Sequence, residues 1–413
     1  MTDPIGTRPD RTDPTAEERI LAQWTGIYDA VYRHAGDRPD RDFAGFRSGL
    51  SGENYSDAEV IEWIDGTVAQ VLALRPRSVL DVGAGTGLIA RGLLPHVDRY
   101  VGTDISPRGV DRLRSGLGDR AGAEFAVRDA DGIGDLGSFD AVVVNSVIQH
   151  FPSARYLWRA LARMAEVSSP AGAVFIGDVP GLHLRDLHHL CVVANRLRAA
   201  SKVPSAGNVH EQLSGSAAQD RELVVHPDFF TAFAAEHGLS ADIRLKPGRH
   251  PIEMNLFRYD VRLHHRADGL LDPAEVERTP WDGAPAGALA ERAAATSAPI
   301  AITGIPRPEL TPIAAALHGL RGLAPEAPVE PASLPTGSGA DAPGTGVHPA
   351  DVVDAAAALG RACFATPSAA DPTAYDAVFA GTAQARGLAV PPSPAADRPL
   401  TTGPSPLTPA GGR

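Results

Sequence analysis

The sequence is poor in the features that mark several large classes of protein. Its 413 residues include only two cysteines, Cys191 and Cys363, too few for a disulfide framework or a dedicated thiolate metal cage. It has no run of lysine and arginine and a formal net charge of −12, which disfavours a nucleic-acid partner. No apolar stretch reaches the ~18 residues that span a bilayer, and the N-terminus has no apolar segment typical of a signal peptide. The histidines form no ligand pattern with carboxylates or cysteines, so we predict a cytoplasmic protein without a metal, membrane or nucleic-acid site.

Short apolar runs alternate with helical segments from Ser78 onward. The runs predict strands at 78–82, 99–103, 124–127, 141–145, 173–177, 241–246 and 257–263, and helices lie between them at 87–94, 108–115 and 154–168. This alternation is typical of an α/β fold with a Rossmann-like, doubly wound and mostly parallel seven-stranded sheet. The last two strands are close in sequence and could pair antiparallel.

Composition and periodicity divide the chain into four segments. Residues 1–56 are predicted to form an N-terminal helical lid, and residues 57–268 the ligand-binding domain, with an insertion at 180–240 as a candidate lid beyond the carboxyl edge of the sheet. Residues 295–382 are predicted to form a small α+β appendage. Residues 383–413 are expected to be a disordered tail, because they are too poor in apolar residues to offset the cost of ordering.

A glycine-rich turn follows the first predicted strand and is the strongest functional signal. Gly83, Gly85 and Gly87 keep side chains away from a ligand that approaches the backbone N–H groups. A dinucleotide site would need a further glycine at position 88, which is Leu88. The pattern instead suits S-adenosylmethionine, whose carboxylate can meet backbone donors and whose ammonium can lie near acids such as Asp81.

Two acids follow the next two strands. Asp104, followed by Ile105, is placed to accept both ribose hydroxyls, and Asp129, followed by Ala130, to accept the adenine amino group. The structural alternative is a simple turn with two aspartates that cap helices. Three such features at successive strand ends favour the cofactor site.

These residues resemble class I methyltransferases, and specifically the methyltransferase domains inserted in nonribosomal peptide synthetases. The resemblance extends in order over roughly residues 20–380, through Trp24 to Tyr32, 95–104, 145–152, 177–179, 222–230, 244–246, 257–261, 348–351 and 375–379. Two departures stand out. The family's aromatic-rich stretch is replaced by residues 43–52, which predicts a different substrate pocket, and neither an adenylation core nor a carrier serine motif is found, which suggests a free-standing enzyme.

The resemblance implies methyl transfer to a nitrogen of a small-molecule or carrier-bound intermediate of secondary-metabolite biosynthesis, such as that of an antibiotic. O-methylation of a natural-product hydroxyl or carboxyl is an alternative, because the cofactor motifs do not determine the acceptor. A second alternative is a non-catalytic, cofactor-binding partner of an assembly line.

Several polar residues are candidates for the chemistry. His150 follows the fourth predicted strand and is the first candidate for a general base, with Gln149 orienting the acceptor; the alternative for both is packing. Glu253 could hold a substrate amine or form a surface salt bridge. Asn145 and Ser146 are predicted to contact the methionyl end of the cofactor. Tyr28 could cover the cofactor or belong to the core.

Overall fold

The computed structural model describes most of the chain, namely residues 14–33, 43, 46–200, 203–265, 269–338, 341–380, 387–390 and 400–402. The strands of its first part are β1 (Ser78–Val82), β2 (Arg99–Asp104), β3 (Ala123–Val127), β4 (Phe139–Asn145), β5 (Ser168–Pro180), β6 (Val224–Val225), β7 (Ser240–Leu245) and β8 (Arg258–His264). The helices are α1 (Pro14–Arg33), α2 (Asp57–Leu72), α3 (Leu88–Leu93), α4 (Pro107–Leu117), α5 (Ala154–Val167), α6 (Arg185–Ala199), α7 (Ala206–Ala218), α8 (Pro227–Glu236) and α9 (Glu253–Phe257).

The large sheet confirms the predicted architecture. Within the described residues it has seven strands in the order β3-β2-β1-β4-β5-β8-β7. All pairs are parallel except those of β8, which is antiparallel to both β5 and β7. β7 and β8 follow one another in the chain and pair directly, joined by residues 246–257.

Both faces of the sheet are buried. Leu80 of β1 and Val142 of β4 pack into a core that includes α5 and α8, whereas Val79 and Val143 point to the opposite face and pack with α2, α3 and α4. Successive side chains of a strand alternate between faces, so two helical layers explain why these strands are apolar throughout.

The α2 helix begins at a capping box formed by Ser56 and Glu59. The Ser56 side chain accepts a hydrogen bond from the Glu59 N–H, and the Glu59 carboxylate accepts one from the Ser56 N–H. Two backbone donors that the helix itself cannot satisfy are thereby paired, which fixes where α2 starts.

The segment predicted as a lid at 180–240 divides into two parts. The α6 and α7 helices share a core with the C-terminal region, in which Leu190 and Val209 pack with Ile313 and Leu317. The α8 helix instead packs on the sheet beside β7, with Phe229 and Phe230 fully buried. Its aromatic residues therefore belong to the main core.

The C-terminal region forms a second, four-stranded sheet. Its elements are β9 (Leu270–Leu271), β10 (Glu277–Pro280), α10 (Ala286–Ala294), β11 (Ile300–Pro306), α11 (Thr311–Arg321), α12 (Pro349–Ala358), β12 (Cys363–Pro367) and β13 (Ala374–Phe379), and the sheet order is β10-β11-β13-β12. This unit begins earlier than the predicted residue 295, because the exposed edge strand β10 carries no apolar pattern and pairs through its backbone with β11.

The prediction of a disordered tail is wrong for the part of it that the structure describes. Two short strands, β14 (Gly387–Leu388) and β15 (Thr401–Thr402), pair with β9 and β6, respectively. Leu388 is buried, and Val390 and Leu400 pack against the main core. A few apolar side chains therefore order these residues; the rest of 383–413 lies outside the described residues.

No described helix is long and apolar enough to cross a membrane.

Candidate active site

The carboxyl ends of β1 and β4 open into a cavity of about 380 Å³. Its walls combine the glycine loop, α1, the segment around residues 46–55 and α9. The residues that line it are Trp24, Ile27, Tyr28, Val31, Tyr32, Phe46, Arg47, Gly49, Tyr55, Trp63, Asp81, Gly83, Ala84, Gly85, Thr86, Leu88, Ile89, Asn145, Ser146, Gln149, His150, Glu222, Glu253, Met254 and Arg258. We call this space the main cavity.

A smaller cavity of about 100 Å³ adjoins it at the ends of β1 and β2. It is lined by Leu21, Trp24, Tyr28, Tyr32, Val82, Gly83, Asp104, Ile105, Arg128, Ala130, Ser146, Val147, His150, Phe151 and Tyr156. Six of these residues also line the main cavity, namely Trp24, Tyr28, Tyr32, Gly83, Ser146 and His150. The two cavities are therefore neighbouring parts of one site.

The glycine loop has the conformation that its sequence requires. Gly83 and Gly87 adopt φ values of 81° and 84°, which other residues rarely adopt. A Cβ atom on Gly83 would lie 2.5 Å from Val147 Cγ2, and one on Gly87 would lie 2.8 Å from Leu113 Cδ2. Both positions therefore exclude a side chain, as predicted.

Asp104 holds the loop from the end of β2. Its Oδ2 accepts a hydrogen bond from the Gly85 N–H at 3.0 Å, and its Oδ1 accepts one from the Ser106 N–H at 2.8 Å. Burial raises the pKa of Asp104 above its usual value, although these backbone donors oppose the shift. Ser106, not Asp104, caps α4, so the aspartate remains available to the smaller cavity.

Asp81 lines the main cavity below the glycine loop. It is buried, and its Oδ2 accepts a hydrogen bond from the Tyr100 hydroxyl at 2.6 Å. Burial raises the pKa of Asp81 to about 6, the Tyr100 hydrogen bond opposes this shift, and the nearby Asp104 adds to it. A cationic ligand group beside Asp81 would stabilise the ionised form.

Two buried amides face the main cavity with unused hydrogen-bonding capacity. Neither polar atom of the Asn145 side chain has a partner within the described residues, and the Gln149 Oε1 has none there either. The Gln149 amide nitrogen donates to the Ser146 hydroxyl at 3.2 Å, and that hydroxyl donates to Asp178 Oδ2 at 2.9 Å. Buried amides are normally paired, so these atoms are suited to a polar ligand.

His150 lies in a wall shared by both cavities. Its Nε2 forms a hydrogen bond with the Tyr28 hydroxyl at 2.6 Å, and its ring lies 4.1 Å from that of Trp24, centroid to centroid. Burial lowers the pKa of His150 to about 3, and the nearby Arg258 adds to the effect. The imidazole is therefore neutral at physiological pH, but it is a weak proton acceptor.

Glu253 lies inside the main cavity, so the alternative of a surface salt bridge does not apply. Its Oε2 accepts a hydrogen bond from the Gly49 N–H at 2.7 Å, and its Oε1 lies 3.1 Å from the Arg258 guanidinium and 3.4 Å from His188 Nε2. Burial alone would raise the pKa of Glu253, but His188 and Arg258 hold it well below its usual range.

Arg258 connects Glu253 to two further acids, the buried Asp178 and the partly exposed Glu222. Its guanidinium is 2.9 Å from Asp178 and 3.9 Å from Glu222. Asp178 also lies 3.3 Å from Lys246 Nζ and accepts a hydrogen bond from the Trp63 indole at 3.2 Å. The part of the main cavity around Glu253 and Arg258 therefore contains several ionised groups.

The remaining predicted residues surround the smaller cavity. Ile105 and Ala130 line it, whereas Asp129 lies beside it and accepts a hydrogen bond from the Gly132 N–H at 2.7 Å. Asp129 therefore closes a turn, and its contact with adenine stays a prediction.

No group of three or more potential metal ligands occurs within the ranges that the structure describes.

This arrangement fits S-adenosylmethionine. Asp104 would hold the ribose, the smaller cavity the adenine, and Asp81, Asn145 and the glycine loop the amino-acid end. The fit rests on the unpartnered Asn145 amide and on the glycine positions that exclude a side chain. When bound, this cofactor supplies a methyl group on a sulfonium centre that is ready for in-line displacement.

Residues 80–174 match a family model described as a methyltransferase domain, a stretch that includes the glycine loop, Asp104 and His150. The chain therefore contains a class I S-adenosylmethionine-dependent methyltransferase domain. The methyltransferase is 32% identical over 312 residues to a probable non-canonical nonribosomal peptide synthetase, CymA, of Salinispora arenicola, a match that covers 74% of this chain and 4% of that protein. It is 31% identical over 257 residues to chondramide synthase cmdD of Chondromyces crocatus, which covers 60% of this chain and 6% of that protein.

The chain thus spans only a small fraction of the length of these relatives. Among solved structures, N-methyltransferase NodS from Bradyrhizobium japonicum aligns at 16% identity with a TM-score of 0.34, over 50% of this chain and 97% of that one.

Sequence reasoning did not assign a role to Glu222, Arg258 or Asp178, which form one charged cluster with Glu253. All three lie in segments that carry the family resemblance, but nothing in their local sequence indicates that they meet. Asp178 gives one structural signal, a φ of 63° that a non-glycine residue seldom adopts outside a constrained site.

Proposed function

We propose that the methyltransferase transfers a methyl group to a nitrogen of a small-molecule or carrier-bound intermediate of specialised metabolism. The observation that supports this acceptor is the charge of the main cavity. Its charged lining residues are three carboxylates, Asp81, Glu222 and Glu253, and two guanidiniums, Arg47 and Arg258. The carboxylates of the lining exceed its guanidiniums by one, and Arg258 is already paired with Glu253 and Asp178, which favours a negative potential in the cavity.

A negative potential in a buried cavity favours a cationic ligand. Charges interact more strongly where water is excluded, and a cleft of one sign raises the local concentration of ligands of the opposite sign. An aliphatic amine is protonated at neutral pH and gains from this field, whereas a hydroxyl is neutral and a carboxylate is repelled. The cavity therefore favours an amine over the acceptors of an O-methyltransferase.

Two further features support a specialised-metabolite intermediate. Arg47 and Gly49 are solvent-exposed and line the main cavity, so a long substrate, free or attached to a carrier arm, has a route past this wall. CymA is described as a probable nonribosomal peptide synthetase, and a peptide intermediate contains amines and amides.

The test compares matched acceptors. The purified chain is incubated with methyl-labelled cofactor and a panel of aminoacyl thioesters, each paired with the thioester of the corresponding hydroxy acid. We expect label in the amine members only. Label in the hydroxy members alone would establish O-methylation, and cofactor binding without turnover on either series would support the non-catalytic alternative.

A further inference from the structure

We propose that Glu222 is the catalytic residue that takes a proton from the acceptor nitrogen, and that the acceptor enters the cavity as a protonated amine. This inference rests on the nitrogen acceptor proposed above. It assigns the proton transfer to a side chain other than His150.

The position of Glu222 is fixed beside the predicted catalytic turn. The N–H of the next residue, Leu223, donates a hydrogen bond to the Gln149 carbonyl at 2.8 Å. Leu223 is fully buried, so this segment is anchored against the turn that carries Gln149 and His150. Glu222 itself lines the main cavity.

Glu222 differs from the other acids of this cluster in its free acceptor capacity. Glu253 accepts hydrogen bonds from Gly49 and Arg258, and Asp178 from Trp63, Ser146 and Arg258. The nearest cation to Glu222 is Arg258 at 3.9 Å, and within the described ranges no hydrogen bond to its side chain is found. Its oxygens are therefore available to a substrate N–H group.

The electrostatic surroundings support a proton-accepting role. Partial burial raises the pKa of Glu222, and the nearby carboxylates of Glu253 and Asp220 raise it further. Arg258 and His188 oppose the rise. The pKa of Glu253 is held low, so the pKa values of these two neighbouring carboxyl groups are separated. Such a separation is typical of sites in which one acid stays ionised and the other exchanges protons.

The alternative base is much weaker. His150 has a pKa of about 3. An aliphatic ammonium has a pKa of roughly 8, so the transfer of its proton to His150 is strongly unfavourable. The hydrogen bond between His150 and Tyr28 instead fixes a neutral, rigid wall of the cavity. His150 is therefore a positioning residue.

One N–H proton of the ammonium passes to the Glu222 carboxylate, which leaves a neutral amine with a free lone pair. That lone pair forms the bond to the methyl carbon while the carbon–sulfur bond of the donor breaks, and its electron pair stays on sulfur. The product is a methylated ammonium, and Glu222 returns its proton to solvent after release.

The test is Glu222→Gln, which keeps the shape of the side chain but cannot take the proton. With the amine acceptor at pH 7 we expect kcat/KM to fall by about 10²- to 10⁴-fold, the usual range for a general base, with unchanged affinity for S-adenosylhomocysteine. The variant's rate should rise about tenfold per pH unit up to the pKa of the free amine, because only the neutral amine reacts. His150→Gln should lose less and keep the pH profile of the unmodified chain.

Glu211→Gln, on the exposed side of α7, is the matched control and should leave turnover unchanged. Should Glu222→Gln fail to bind S-adenosylhomocysteine, Glu222→Asp decides the matter, since it should keep the original pH profile at a lower kcat. Wild-type rate and pH profile in Glu222→Gln would overturn this inference while leaving the nitrogen acceptor intact. Methylation of hydroxyl acceptors alone by the unmodified chain would overturn the nitrogen acceptor itself.

Discussion

Asp104→Asn tests the placement of the cofactor. The carboxylate accepts hydrogen bonds from two backbone N–H groups, of Gly85 and Ser106. Alanine would leave both donors unsatisfied and disturb the loop. Asparagine keeps one acceptor oxygen but presents an amide N–H₂ to the other donor, so even this variant alters the loop to some extent. A comparison of affinities for one ligand would mix this effect with the loss of the ribose contact.

A second ligand removes this ambiguity. Both the original chain and Asp104→Asn are titrated calorimetrically with S-adenosylhomocysteine and with its 2′-deoxy analogue. A hydrogen bond from a hydroxyl to a buried charged acceptor contributes about 1.5–3 kcal/mol, equivalent to about 10- to 150-fold in affinity. We expect the original chain to prefer the 2′-hydroxyl by that factor, and the preference to fall below about fivefold in the variant.

Disturbance of the loop affects both ligands equally and cancels in this ratio. Asp111→Asn is the matched control, since its side chain is 74% exposed on α4, and it should keep the full preference. An equal preference for the 2′-hydroxyl in the original chain and in Asp104→Asn would show that Asp104 does not hold the ribose.

Two further substitutions test the electrostatics of the fold. Asp81→Asn should stabilise the ligand-free protein at pH 8. The pKa of Asp81 in the folded chain is about 6, against the usual 3.8. This difference corresponds to about 3 kcal/mol of folding stability, which is present below pH 4 and is lost as the pH rises through 6. Arg307→Met should lower the free energy of unfolding by about 2–4 kcal/mol, because the buried guanidinium donates to the Asn255 and Leu256 carbonyls at 2.8 and 3.0 Å. It should also raise KM for the acceptor, because those carbonyls belong to α9, which carries Glu253.

Thermal or urea unfolding at several pH values checks both. For Asp81→Asn, a gain in stability that is as large at pH 4 as at pH 8 would contradict the titration argument. For Arg307→Met, the control is Arg321→Met on α11, whose side chain is 59% exposed and should tolerate the change. An unchanged KM with a lowered stability would mean that Arg307 supports the fold without positioning α9.

The parts that the sequence predicts well are those in which local pattern and tertiary position coincide. The carboxyl ends of parallel strands meet at one edge of the sheet. Strand boundaries alone are therefore enough to place Asp81, Asp104 and Asn145 together. The glycine loop is equally local, because positive φ values and close packing are requirements of the turn itself.

The parts that it misses depend on contacts between distant segments. Arg258 occupies the first position of β8 and reads as an ordinary strand residue, yet its side chain joins Asp178, Glu222 and Glu253. His150 has a position that suggests a base, but burial changes its pKa. The strands β14 and β15 have two residues each, too short for any periodicity to predict them.

The α1 helix supplies Trp24, Tyr28 and Tyr32 to the lining of both cavities. A ligand in either cavity therefore contacts the same helix, and each should change the affinity of the other by the same factor, since coupling between two binding equilibria is reciprocal. Dissociation constants for the acceptor are consequently defined only at a stated concentration of the methyl donor or its product. An inhibitor directed at the adenosine end should likewise shift the apparent affinity for an amine that it never touches.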